Sequence, residues 1–173
     1  MRFVDFLKAT VLLSAASATF LATLTVLTVR DELDATLMEV AIVWWLAAAL
    51  IGAWLGRRNA ASPPIARLLA DARMQMSLPE MRPGLTLINR LWPLLVSTIG
   101  AAALGVFVPQ VSAVASGFAI IWALAWRRQD AAVAAIEERD GVRFYVEKTS
   151  PLQPMQLVRT PGFSGSFLPQ RQV

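Results

Sequence analysis

The chain has no cysteine and no histidine among its 173 residues. Disulfides, thiolate nucleophiles and Cys/His zinc sites are therefore excluded. So is acid–base work by imidazole, the commonest choice near neutral pH, and so is a lipobox. Charge is also scarce. Only 16% of residues are charged, against about 25% in ordinary soluble domains. No Walker loop, G-x-S-x-G elbow, H-E-x-x-H or dinucleotide fingerprint occurs. These absences point away from an enzyme, and no catalytic residue, cofactor or metal site is expected.

What the chain has in excess is apolar surface. Hydrophobic residues make up 56% of it, and the mean hydropathy is +0.54. They cluster in four segments, 9–29, 37–56, 91–108 and 111–126. As helices, the first would measure about 31 Å, close to a hydrocarbon core of roughly 30 Å. The last would measure only about 24 Å and suits a thin or locally pinched bilayer. A basic start before an apolar run also fits a signal peptide, with the small residues 14–18 as its cleavage site. The run continues well past that site, so an uncleaved first span is expected.

The spans carry little chemistry. Their interiors contain no Asp, Glu, Lys or Arg, the groups that transporters usually place there to couple ions and protons. Ser14, Ser17, Thr19, Thr23, Thr25 and Thr28 make the first span rich in hydroxyls. These can bond to the backbone or to a neighbouring helix, and packing is the expected use, a polar pathway the rival one. Small residues recur four apart at Gly52 and Gly56, preceded by Ala48. They recur again at Ser97, Ala101 and Gly105, and at Ala113 and Gly117. Such rows let two helix backbones approach closely. Packing within the chain is expected of the Gly52–Gly56 pair, with a dimer seam as the alternative.

Between the second and third spans lies an arginine-rich bridge, 57–90. Ser62-Pro63-Pro64 reads as an N-cap followed by prolines in a first helical turn. Ile65, Leu68, Leu69, Ala72 and Met76 then share one face, with Arg67 and Asp71 opposite. An amphipathic helix packed at the interface against its own bundle is expected. Thr36 and Glu39 make a capping box ahead of the second span, behind an acidic loop with Asp31, Glu32 and Asp34. A cation site made by these acids is the less favoured reading. Pro93 suits a first turn or a kink, and Pro109-Gln110 a very tight turn. After Trp126 the fourth helix is expected to run on and stop before Gly141. Val142, Phe144 and Val146 alternate with Arg143, Tyr145 and Glu147, as in a half-buried strand. Pro151, Pro154 and Pro161 mark an extended segment, and the last dozen residues are expected to be disordered.

Charge gives the orientation. The N-terminus, bridge and C-terminal segment hold 15 of the 16 basic residues, and the two short loops hold one. Positive residues favour the cytoplasmic side. Trp54, Trp92, Trp122 and Trp126 fall at that same boundary, where amphipathic rings prefer to sit. Trp44 and Trp45 lie deeper and are expected between helices.

The resulting expectation is an all-α integral membrane protein of four transmembrane helices in two hairpins, with both termini inside. It comprises a first hairpin (1–56), the cytoplasmic bridge (57–90), a second hairpin (91–126) and a helix extension with a small strand-containing tail (127–173). Arg57, Arg58, Arg127 and Arg128 would set topology and meet anionic headgroups. Phe144, Tyr145 and Val146 need burial, in the bridge, in a second copy or in a partner. The function expected is a non-enzymatic cytoplasmic docking surface, for the chain itself or a partner complex, in a bacterial cytoplasmic membrane. The alternative is a small pore or transporter subunit. No nucleic acid is expected among the partners.

Overall fold

The computed structural model describes residues 1–29, 35–58, 60–74, 83–147 and 153–161. The acidic loop, Met76, Pro79, Pro151 and the final dozen residues lie outside these. In chain order the elements are α1 (Phe3–Thr28), α2 (Ala35–Leu55), α3 (Pro63–Ala70), β1 (Arg73–Met74), α4 (Pro83–Phe107), α5 (Pro109–Trp126), α6 (Gln129–Asp140), β2 (Val142–Val146) and β3 (Leu157–Pro161). Among the described residues, four helices are long and apolar enough to cross a membrane.

α5 is the centre of the bundle. α1, α2 and α4 all pack along it, and α4 also meets α1. The reason is side-chain size: the buried positions of α5 are Ser112, Ala113, Ser116, Gly117 and Ala123. A helix with so small a surface can be approached closely from several sides. The outward faces are apolar instead. Val43, Leu46 and Leu50 on α2 are exposed, as are Val96, Ile99 and Phe107 on α4. An apolar exterior of this kind is matched to lipid rather than water.

A second, smaller body caps one end of the bundle. Its core joins Phe3, Val4, Phe6 and Leu7 of α1 to Ile65 and Leu69 of α3, Leu91 of α4, Val133 of α6, Phe144 and Val146 of β2, and Leu157 of β3. A three-stranded sheet of order β1-β3-β2 closes it. β3 runs antiparallel to β2 and parallel to β1. The bridge and the tail therefore share one sheet, and the N-terminus joins its other edge. The backbone of Arg2 bridges Tyr145, and the Val146 N–H donates to the Met1 carbonyl at 3.0 Å.

Several boundaries differ from those read in the sequence. α1 begins at Phe3, not at residue 9, because its first turns are buried in the cap while Asp5 and Lys8 point outward. α4 begins at Pro83, eight residues before the expected span, and Pro93 lies inside it. α2 already includes Ala35, so Thr36 stands within the first turn and not ahead of it. Glu39 is exposed. The fourth helix does run on, but a turn at Arg127-Arg128 divides it into α5 and α6. α6 ends at Gly141, whose φ of 62° is a left-handed conformation that glycine adopts without a Cβ clash. Tyr145 is buried beside Phe144 and Val146, so the last three residues of this strand are covered on both faces, while Arg143 at its start stays exposed as the alternation requires. The sheet also extends beyond the tail, since the bridge supplies β1.

Candidate functional site

The cap is where charge, hydrogen bonding and exposed polar side chains converge. α3 behaves as its pattern requires. Ser62 caps it with extended backbone angles, and Pro63 and Pro64 occupy the first turn, where their missing N–H groups cost nothing. Ile65, Leu69 and Ala72 are buried, while Arg67 and Asp71 face outward. The Ser62 side chain makes no capping bond. Its backbone N–H instead donates to Gln129 Oε1 of α6 at 2.8 Å. That bond fixes the bridge to the helix leaving the bundle.

Glu137 is the polar centre of the cap. It is 6% exposed, and its two oxygens serve different elements. Oε2 accepts from Arg2 Nη2 at 2.8 Å, and Oε1 accepts from the Phe144 N–H at 2.9 Å. A buried carboxylate is costly unless paired and hydrogen-bonded, and here it is both. The hydrogen bond to Glu137 raises the Arg2 guanidinium above its ordinary range, against the opposing effect of burial. Nothing in the sequence pattern singled out Glu137. Its position eight residues before Tyr145 becomes meaningful only once Gly141 turns the chain back. On the opposite side of the cap, Arg90 Nη1 donates to the Gln153 carbonyl at 2.7 Å and ties α4 to the tail.

Phe144, Tyr145 and Val146 are all buried within the chain. Phe144 and Val146 belong to the chain's own core, with the bridge helix among its walls, while Tyr145 is buried between the paired backbones of Arg2 and Val158. The outward cap surface is different in kind. Each strand presents one exposed arginine, Arg73, Arg143 and Arg159, and Met74 is 67% exposed at the sheet edge.

The small-residue rows divide. Gly52 and Gly56 face α5: a Cβ at Gly52 would come 2.9 Å from Leu124 Cβ, and one at Gly56 would overlap the Leu124 carbonyl. Gly117 lies under the Trp44 indole, which a Cβ there would overlap. Ala113 is buried, and its carbonyl accepts from Trp45 Nε1 at 2.9 Å. Gly105 meets Ser112 across the α4–α5 hairpin. Ala101 is half-buried and Ser97 is exposed, so that row contacts its neighbour at one end only.

The hydroxyls of α1 are largely internal. Ser14 and Thr25 are fully buried and bond back to Thr10 and Leu21 carbonyls. Thr25 Oγ1 lies 2.8 Å from Ser112 Oγ, Thr98 Oγ1 donates to Ser17 Oγ at 3.1 Å, and Ser116 Oγ donates to the Ala18 carbonyl at 3.2 Å. Thr19 and Thr23 line a groove of about 440 Å³ between α1 and α5, whose other walls are apolar. Among the described residues, no group of three or more acidic side chains could hold a metal ion.

Arg57, Arg58, Arg127 and Arg128 are all exposed near the junction of bundle and cap. Arg128 Nη1 donates to the Arg57 carbonyl at 3.2 Å, which links the exits of α2 and α5.

The class defined by this architecture is a multi-pass, four-helix membrane protein with a mixed helix-and-sheet cap. The chain matches no family model, no curated protein and no solved structure.

Proposed function

We propose that this chain is a non-enzymatic membrane protein whose cap forms a cytoplasmic docking surface, for a second copy or for a partner complex. The observation that carries the reading is the cap itself. Three separate basic stretches of the chain fold into one body with its own core, and an arginine faces outward from every strand. A lipid anchor alone needs no such body. Anchoring needs only the membrane-spanning helices.

The partner surface on this reading is the sheet face that carries Arg73 and Arg143, together with its edge strand β1, and not the face of the buried Phe144, to which the register assigns Arg159 and Met74. An edge strand offers unpaired backbone groups to an incoming strand. The surrounding arginines favour a partner segment that carries carboxylates. The orientation rests on the positive-inside bias, since the basic residues named here lie at the cap end. The internal bonding of Ser14, Ser17 and Thr25 supports a packing role for the first span over a solute path.

The test is photocrosslinking in native membranes with the full chain. A crosslinker replacing Met74 or Arg143 should yield discrete adducts, with a second copy or with one partner. With the crosslinker at Met74, charge reversal at Arg73 and Arg143 should weaken them. A crosslinker replacing Phe107, which is 84% exposed at the far end of α4, serves as the control. Adducts from Phe107 alone, with none from the cap, would refute the docking reading.

A further inference from the structure

A cleft of about 830 Å³ opens where the bundle meets the cap, between the end of α2, the entry to α3 and the junction of α5 with α6. Its composition is unlike that of the groove on the bundle's flank. One wall is aromatic: Trp54, Trp122 and Trp126 line it, the last two stacked with ring centroids 5.4 Å apart. The rim carries Arg57 and Arg58. Neither guanidinium has a hydrogen-bond or ion-pair partner among the described residues. Ser62 also lines the cleft, and its hydroxyl oxygen lies beneath that surface with no hydrogen-bond partner among the described residues. Among the described residues, no carboxylate lines it.

From this geometry we infer a binding site for the phosphate headgroup of an anionic phospholipid. The inference rests on the four helices crossing a bilayer, but it does not depend on the docking role of the sheet. Two guanidiniums without partners among the described residues make a donor set suited to a phosphodiester, and the Ser62 hydroxyl beneath them has no competing partner there. Tryptophan concentrates at headgroup level because its ring is apolar at one end and polar at the other. The occupant is a lipid and not a free anion because the cleft continues into apolar surface. From Trp54, Leu50 and Leu46 follow at successive turns of α2, and from Trp122, Phe118 and Val114 follow on α5. All four of these aliphatic and aromatic side chains, from Leu46 to Phe118, are exposed. Two apolar stripes leading away from one cationic cleft fit a headgroup with two acyl chains. Arg128, which holds the Arg57 carbonyl, acts as a positioning residue for the rim.

The experiment uses the full-length protein in nanodiscs that contain equal amounts of phosphatidylglycerol and phosphatidylcholine with identical acyl chains. Co-released lipids are read by native mass spectrometry. Phosphatidylglycerol should be retained in preference. In the R57Q/R58Q variant that preference should fall on the order of 10-fold, given the strength of each basic residue's attraction to an anionic surface. R57K/R58K should keep most of it. R143Q/R159Q removes the same charge from the outer cap and should behave as the parent chain. Equal retention of the two lipids, or an unchanged preference in R57Q/R58Q, would overturn the site. Displacement of the lipid by inorganic phosphate would overturn the lipid as occupant. Resistance of each variant to alkaline extraction from membranes separates loss of the site from loss of membrane insertion.

Discussion

Arg2 and Glu137 stand 135 positions apart in the chain and meet at 2.8 Å in the cap. Arg2 is 39% exposed and Glu137 is 6% exposed. The pair is therefore asymmetric: without its partner, the arginine can still reach water and the carboxylate cannot. Arg2→Ala should cost about 1.5–3 kcal/mol, the range for a hydrogen bond to a charged group. Adding Glu137→Gln should recover part of that cost, because it neutralises the stranded charge and still leaves an acceptor for the Phe144 N–H. Hydrogen exchange at the Phe144 amide reads this directly. It should quicken in Arg2→Ala and slow again in the double variant. Arginine is already charged in the unfolded chain throughout the ordinary pH range, and the hydrogen bond to Glu137 raises the Arg2 pKa further in the folded one. Arginine-linked stability is thus fully present through the working range and would be lost only as pH rises through the folded value.

The Trp44 indole lies against the backbone of Gly117, with an edge-on contact to Phe118 at 5.5 Å. Its Nε1 donates to the Val114 carbonyl at 3.2 Å. Gly117→Ala should loosen α2 from α5 and lower thermal stability in detergent by about 1–3 kcal/mol, the usual cost of overpacking. Trp44→Leu in the same chain should restore part of the loss. Additive losses from the two substitutions would mean that they do not share this contact.

Thr25 and Ser112 are buried and share two hydroxyl hydrogens with the Leu21 and Pro109 carbonyls. Hydrogen bonds between membrane helices average about 0.6 kcal/mol in double-mutant cycles. A cycle through Thr25→Val and Ser112→Ala should return a coupling of that size. A coupling of several kcal/mol would instead assign this contact a larger part in holding α1 to α5.

Ile65 is 1% exposed and is the main anchor of the bridge helix in the cap core. Ile65→Ala should cost about 2–5 kcal/mol by lost burial and a residual cavity. The effect should be local. Exchange should speed up in α3 and the sheet, while the bundle amides of α5 stay protected. Uniform acceleration through the bundle would show that cap and bundle unfold as one.

Much of this arrangement was legible in the chain, and the rest was hidden for identifiable reasons. The four spans follow from hydropathy, and the bridge helix from Ser62-Pro63-Pro64 and the spacing of Ile65 and Leu69. Gly141 marked the end of α6 because the turn needs a positive φ. The strand at Val142–Val146 followed from alternation, but the burial of Tyr145 did not. Alternation reports one face, and the pairing with Val158 and the backbone of Arg2 lies in distant sequence. β1 is two residues long, too short to carry a period, and exists because β3 pairs with it. The helices α1 and α4 begin before the expected spans because a charge-free window measures what lipid tolerates. A helix continues past that window wherever another body, here the cap, buries its next turn. The central place of α5 was half visible: Ala113 and Gly117 were marked as packing residues, but that three helices meet there is a property of tertiary assembly alone.

The account stands or falls on which side of the membrane the cap occupies. The chain contains no native cysteine, so single-cysteine labelling is free of background. Val108, at the turn between α4 and α5, is 46% exposed at the end away from the cap, and Arg143 is exposed on the sheet. With a membrane-impermeant maleimide on intact cells, Val108→Cys should label at once and Arg143→Cys only after permeabilisation. Labelling of Arg143→Cys from outside intact cells, with Val108→Cys protected, would contradict the account.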